Sequence, residues 1–408
     1  MRILILSQHF PPEPITRLRD LTQYLVGQGH DVAVITTFPS YPVGKVYSGY
    51  KLRLYARYHE LGAKVRRVFA VPYRGTVKGK RMLSYFSFAF MALLFGLLLR
   101  RRPDVLYVYH PPLTTGLAAA VYNLVTRVPF VYDVQDIWPE AIVAAGLLRE
   151  GSLIYRSIRL IEKFVYGRAS RISVISSGMK HNLMGKGVPA EKLTMISNWG
   201  DPDTYQPVDS QELRQRFGWN NRFVVMLVGN MGLTHGLETV IEAAGYLRND
   251  PAILFVFVGS GAAKPALMAE AESQKLNNVI FYDQVPQAEA AQLINAANVM
   301  LIHLKPTLDG EFSVPHRIFS YMLCGKPIIA AAAGSTAELV RSYNSGWVCQ
   351  ASNGIALSEV IRNAAQNPVD CQKLGHNGLE VARGAYDRSH LLGQIEKIIN
   401  ETHRNGFN

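Results

Sequence analysis

Cysteine is scarce: Cys324, Cys349 and Cys371 are the only three in 408 residues. They form no CxxC pair and no even framework, which argues against disulfide staples and a zinc site and for a reducing compartment, the cytoplasm. Long charged tails are absent, so disordered electrostatic arms are not expected. Also missing are GxxxxGKS/T, HExxH and GxSxG, which removes phosphate-loop nucleotidases, zincin proteases and serine hydrolases with a nucleophile elbow. Residues 2–7 are too short an apolar run for a signal peptide and lead directly into a proline loop.

What the chain does have is apolar mass and positive charge. Hydrophobic residues make up 48% and charged residues 18%, enough for well-formed cores. At about twice the usual domain size, two domains are expected. The formal charge is +12, so the partners sought are anions. The basic residues cluster at 51–102: Lys51, Arg53, Arg57, Lys64, Arg66, Arg67, Arg74, Lys78, Lys80, Arg81 and Arg100 to Arg102. No nucleic-acid-binding motif accompanies them.

Apolar runs at 3–6, 32–35, 105–109, 130–132 and 172–175 alternate with helical stretches near 17–28, 114–126, 153–167 and 177–184. This is the pattern of a parallel sheet covered on both faces, an α/β fold. The polar stretch 198–210 reads as a linker. The pattern then restarts, with strands expected at 223–228, 254–258, 279–282, 299–302 and 327–331. Helices are expected near 237–247, 264–275, 288–296, 316–323 and 355–366. Two such halves would face across a cleft, with ligands outside the carboxyl ends of the strands.

Four segments carry chemistry-bearing residues. Gly229, Asn230 and Gly232, then His235 and Gly236, join a strand to a helix. They form either an ordinary turn or a loop that lets backbone approach a diphosphate. Lys305 ends a strand, and Pro315, His316 and Arg317 open a helix. Cations and a helix end aimed at one point would clamp a diphosphate. At 334–338, Ser335 or Thr336 reads as a helix cap, with Glu338 a candidate for sugar or ribose hydroxyls. Asp133, Gln135, Asp136 and Trp138 follow a buried strand. There Asp136 is the candidate for hydroxyl binding or acid–base work, and Asp133 reads as a structural cap. Gly259 and Gly261 with Asp283 only weakly imitate a dinucleotide fingerprint, because position 264 is lysine.

These residues carry a resemblance. PPEPITRLRDL (11–21), GQGHDVAVIT (27–36), FPSYPVGKVYSGY (38–50), DVQDIWPE (133–140), SNWGD (197–201), GNMGLTHGLETVIEAA (229–244) and VPHRIFSYMLCGKPIIA (314–330) resemble glycosyltransferase family 4. Within it they are similar to the bacterial subgroup containing N-acetyl-L-fucosaminyltransferases. The resemblance implies a GT-B fold of two Rossmann-like domains: residues 1–200 for the acceptor and 201–385 for the donor, with 386–408 a helix packing back towards the first. It implies a retaining transfer of an N-acetylated amino or deoxyamino hexose from a UDP-sugar to a lipid-linked saccharide. The pathway implied is bacterial surface-polysaccharide synthesis, with no cofactor and no metal. Carried over residue by residue, Gly229, Asn230, Gly232, His235, Gly236, Pro315, His316, Ser320 and Glu338 would hold the donor. Lys305 and Arg317 would stabilise the leaving diphosphate, and Asp136 would act in catalysis. Gln135 and Trp138 would meet the acceptor, and Arg17 its phosphate.

The sequence departs from the broad family where Asn230, His235, Ser320 and Gln135 stand in place of its Arg, Lys, Glu and His. Glu311 is out of register with that Glu. A sugar-nucleotide epimerase of the same architecture and a non-catalytic nucleotide-sugar binder remain alternatives. Residues 83–99 carry no charge between basic flanks. A span there would split the first domain. The run is therefore read as a buried helix or as a membrane-facing one, the 74–102 region meeting anionic lipid at the inner face of the plasma membrane.

Overall fold

A computed structural model describes every residue except 42, 43, 74–77, 145 and 406–408. The chain divides into two compact units, Met1–Ile196 with Leu392–Asn408, and Ser197–Leu391.

The first unit holds β1 (Arg2–Leu6), β2 (Asp31–Thr37), β3 (Tyr55–Glu60), β4 (Ala63–Val68), β5 (Val105–His110), β6 (Phe130–Val134), β7 (Arg171–Val174) and β8 (Leu193–Met195). They form one sheet in the order β3-β4-β2-β1-β5-β6-β7-β8, parallel except for β3. The central strands are buried along their length, which is why they read as continuous apolar runs. The helices that matter below are α1 (Thr16–Gly27), α2 (Lys78–Leu97), α3 (Leu113–Thr126) and α4 (Leu153–Arg168).

The β3–β4 hairpin is absent from the sequence reading, which pooled its residues into a basic cluster. Its turn has Leu61 and Gly62 at φ of 53° and 76°, as a two-residue hairpin loop requires. Arg67 is fully buried. Its Nη2 donates to Glu60 Oε2 at 2.6 Å, its Nη1 to the Thr37 carbonyl at 2.8 Å, and its guanidinium lies over the Tyr50 ring. That charge is spent on holding the sheet edge. Arg74 lies outside the described residues.

The second unit holds β9 (Phe223–Val228), β10 (Ile253–Val258), β11 (Val279–Tyr282), β12 (Val299–His303), β13 (Ile328–Ala331) and β14 (Gly346–Cys349), with α5 (Glu238–Tyr246), α6 (Arg317–Leu323) and α7 (Gly334–Ser342). The sheet is parallel, in the order β11-β10-β9-β12-β13-β14. The order in which the strands are laid down reverses between β9 and β12, so the loops leaving those two strands border the crevice where such sheets bind ligands. The last helix, α8 (Arg388–Asn405), ends in the first unit. There Tyr24 and His30 hydrogen-bond Glu396 at 3.1 and 3.0 Å.

The stretch expected as a linker does not run free. The units divide at Ile196, and Trp199 is buried. The Val208 amide donates to Asn295 at 3.1 Å and Arg388 pairs with Asp201 at 3.2 Å, all within the second unit.

Candidate functional site

The second unit gathers its chemistry at the β9–β12 switch. After β9 the backbone turns through Gly229, at φ 126°, and Gly236, at φ 66°. A side chain at Gly236 would stand 2.8 Å from His303 Cε1 and 2.9 Å from Lys305 Cγ. Only glycine lets this loop lie against the end of β12. A Cβ at Gly259 would likewise strike the Gly229 carbonyl, so the loops after β9 and β10 touch backbone to backbone. Lys264 braces that second loop, donating to the carbonyls of Gly259 and Tyr282 and to Asp283. The acid of the imitation fingerprint is therefore spent on a lysine.

Arg317 reaches into the same loop. Its Nη1 donates to the Asn230 carbonyl at 3.1 Å and its Nη2 to His235 Nδ1 at 3.2 Å. The Gly232 amide also donates to that Nδ1 at 3.2 Å, so the His235 proton sits on Nε2. Burial and the neighbouring Arg317 charge push His235 down to about 4, leaving the ring neutral. Burial also lowers Arg317 from its ordinary value. Beneath them, His303 Nδ1 donates to the His235 carbonyl at 2.5 Å, and Nε2 accepts the Ser352 amide at 3.2 Å.

Lys305 stands beside this loop and pairs with Glu238 at 2.9 Å. Burial pushes Glu238 up, but the Lys305 hydrogen bond and charge outweigh it, and the carboxyl lies below its ordinary value. Sequence reasoning missed Glu238. It opens the helix directly after the loop, and its acidic place in a first turn was the available signal. Among the described residues no cluster of three or more His, Cys, Asp or Glu side chains is arranged for a metal ion.

Loop 229–236, Lys305 and Arg317 thus meet, but other expected donor residues are placed differently. The helix starts at Arg317, not Pro315, and runs seven residues, so its dipole adds little. Ser320 is buried and bonds Tyr205. Neither Ser335 nor Thr336 caps α7: the N-cap is Ala333, and Thr336 Oγ1 donates to the Ser313 carbonyl at 2.7 Å. Glu338 is exposed one turn into α7, and His316 is exposed just before α6.

In the first unit two expectations fail for one reason. Arg17 is buried, with Nε and Nη2 donating to the Asp133 carboxylate at 2.8 and 3.2 Å. Tyr107 O–H donates to the same carboxylate at 2.6 Å. Burial alone would lower Arg17, but Asp133 and Tyr107 hold it above its ordinary value. Arg17 therefore fastens α1 to β6 and cannot reach an acceptor phosphate. Asp133 is its counter-ion and not a helix cap. Trp138 is also buried, packed beside Tyr85 and His110, and Gln135 is buried. Asp136 is half-buried at the end of the same segment.

Comparison with known proteins gives the frame. Residues 14–199 match the Glycosyl transferase 4-like domain and residues 209–381 the Glycosyl transferases group 1 family. The putative colanic acid biosynthesis glycosyl transferase WcaI of Escherichia coli is 27% identical over 97% of this chain and 98% of its own. The probable glycosyltransferase WbjE of Pseudomonas aeruginosa is 27% identical over 70% of this chain and 72% of its own. Among solved structures, Anabaena HepE in complex with UDP superposes with a TM-score of 0.74 at 19% identity, covering 98% of this chain and all of that one. The shared architecture is the GT-B fold.

Proposed function

The chain belongs to the group 1 glycosyltransferases, and from that premise we propose that it moves a sugar from a UDP-sugar to a lipid-linked saccharide in surface-polysaccharide synthesis. The observation that carries this is the meeting of Arg317 and Lys305 at the glycine loop after β9. Two cations there neutralise a diphosphate as the bond from the anomeric carbon to its oxygen breaks. The acceptor oxygen bonds to that carbon on the departing face, so configuration is retained, and its proton passes to a diphosphate oxygen. Asp136 orients the acceptor hydroxyl. The sugar is an N-acetylated amino or deoxyamino hexose. UDP as the carrier agrees with the UDP held by HepE, and the pathway with the name of WcaI.

The site of action is the inner face of the plasma membrane. α2 packs its Tyr85, Phe88, Ala89 and Ala92 side into the unit and leaves Leu83, Phe86, Phe90, Leu94 and Leu97 exposed. α3 adjoins α2, and α4 adjoins α3; on α4, Leu153, Leu160 and Phe164 form a second exposed stripe. Exposed apolar stripes of this extent, with Lys80 and Arg100 to Arg102 nearby, fit an anionic lipid surface. A lipid-linked acceptor requires such a position.

The test incubates the protein with UDP-sugars and bacterial lipid-linked saccharides and looks for a heavier glycolipid by mass spectrometry. Epimerised donor without transfer would replace the proposal with an epimerase, and tight UDP-sugar binding without turnover would replace it with a binding protein.

A further inference from the structure

A small cavity of about 150 Å³ opens in the first unit, lined by residues following β1, β2 and β4. Gln8 lines it and is only 2% exposed. Its amide nitrogen donates to Ser84 Oγ at 3.1 Å. Its backbone carbonyl accepts the hydroxyls of Thr36 and Thr37 at 3.1 and 2.7 Å. The amide oxygen has no partner among the described residues. A buried acceptor left unpaired costs free energy, so it draws a donor from water or from a ligand.

Aromatic rings share the wall. His9 and Tyr41 stand 4.9 Å apart, and Tyr73 joins them in lining the space. Tyr73 in turn packs edge-on against Tyr85 at 6.2 Å. A buried carboxylate fixes the first pair. Glu13 accepts the amides of Phe10, Ser40 and Tyr41 at 3.0, 2.8 and 2.7 Å and pairs with His9 at 3.3 Å. The loop after β1 and the loop after β2 are thereby clamped before any ligand arrives, which lowers the cost of binding.

Among the described residues the lining holds no lysine and no arginine, so it offers no charge for a phosphate. It is smaller than the roughly 300–1,000 Å³ typical of pockets for larger ligands, and so suits one ring. A carbonyl oxygen awaiting a donor, beside rings that pack against C–H faces, is chemistry suited to a sugar. Asp136 is close by: burial raises Tyr41 and Tyr85 first, and the Asp136 charge adds to both.

We propose that this cavity is a subsite for one neutral pyranose ring of the acceptor, with Gln8 Oε1 accepting from a sugar O–H or N–H and the ring lying against Tyr41 and His9. This rests on the glycosyltransferase reading and adds the residues that choose the acceptor. The probes are the methyl glycosides of glucose, galactose and N-acetylglucosamine, followed by saturation-transfer NMR on the full chain with UDP present. At least one glycoside should receive saturation, with binding about tenfold weaker in Gln8→Leu, the loss expected for one hydrogen bond. Tyr41→Ala, at a half-exposed residue, should weaken it similarly and keeps the test valid if Gln8→Leu misfolds. No saturation of any glycoside, or equal binding by both folded variants, would overturn the subsite. If the wild-type protein bound no UDP or UDP-sugar, the glycosyltransferase reading itself would fall.

Discussion

Arg317 touches the Asn230 carbonyl and His235 but pairs with no carboxylate among the described residues, whereas Lys305 is paired with Glu238. The guanidinium is thus the less satisfied charge of the two. Arg317→Ala should lower kcat about 100- to 1,000-fold, the range for removing one transition-state charge partner. Lys305→Ala should cost less, because Glu238 already offsets part of the charge it removes. Steady-state rates with saturating UDP-sugar measure both, and a normal rate in Arg317→Ala would mean the clamp is elsewhere. If these two cations do the charge work, EDTA should leave turnover within about twofold. Gly236→Ala is a harsher test of the loop. Its φ of 66° and the 2.9 Å approach to Lys305 Cγ leave a methyl no room, so UDP affinity should fall. His235 sets a pH response. Its unfolded pKa lies near 6.5 and burial with Arg317 holds it to about 4. The unfolded chain therefore takes up the proton first, and the stability this ring confers is complete above about pH 6.5 and drains away towards pH 4. His235→Asn should flatten part of the fall in Tm across that window in calorimetry.

At the scale of elements, α2 and the β3–β4 hairpin show what a sequence discloses. The strand at 223–228 lies where the apolar run put it, because a strand covered on both faces needs nothing but apolar residues. β3 and β4 were illegible because their pattern alternates charge with burial. The fully buried cation, Arg67, looks like a surface residue until Glu60, seven backbone positions before it across the turn, closes the pair. Likewise Arg17 read as an anion receptor, since nothing local says that Asp133, far along the chain, will claim it. Glycine loops and strand ends were legible because their demands are local. α2 was legible only as apolar; its division into a packed side and an exposed side needs the neighbouring helices. Phe90 is 66% exposed, so Phe90→Asp with Leu94→Asp should barely move Tm. Each buried aromatic or leucine is worth about 1.5–3 kcal/mol, so the pair should weaken flotation with phosphatidylglycerol vesicles by tenfold or more. Flotation equal to wild type would remove α2 from the lipid surface. Leu160→Asp on α4 asks whether the second stripe shares the contact.

At the scale of the whole molecule, the chain leaves the first unit at Ile196 and re-enters it at Leu392. Both ends therefore belong to the unit that carries the cavity and α2, and the cation cluster sits in the inserted one. Leu392, Ile395, Ile398 and Ile399 are buried, and Glu396 binds Tyr24 of α1 and His30 beside β2. Ending the chain at Leu391 would strip that apolar face and both hydrogen bonds from the first unit and leave β9 to β14 intact. The loss exceeds what one unit tolerates lightly, since a single buried leucine or isoleucine removed costs about 2–5 kcal/mol. Hydrogen exchange should quicken through α1 and β2 in the truncated protein and stay slow in β9, β10 and β12. UDP should still bind within a few-fold of wild type, because no residue of the loop at 229–236, Lys305 or Arg317 depends on α8. Exchange that quickened equally in both sheets would mean that the units unfold as one body, and that the final helix supports the donor site as much as the acceptor side.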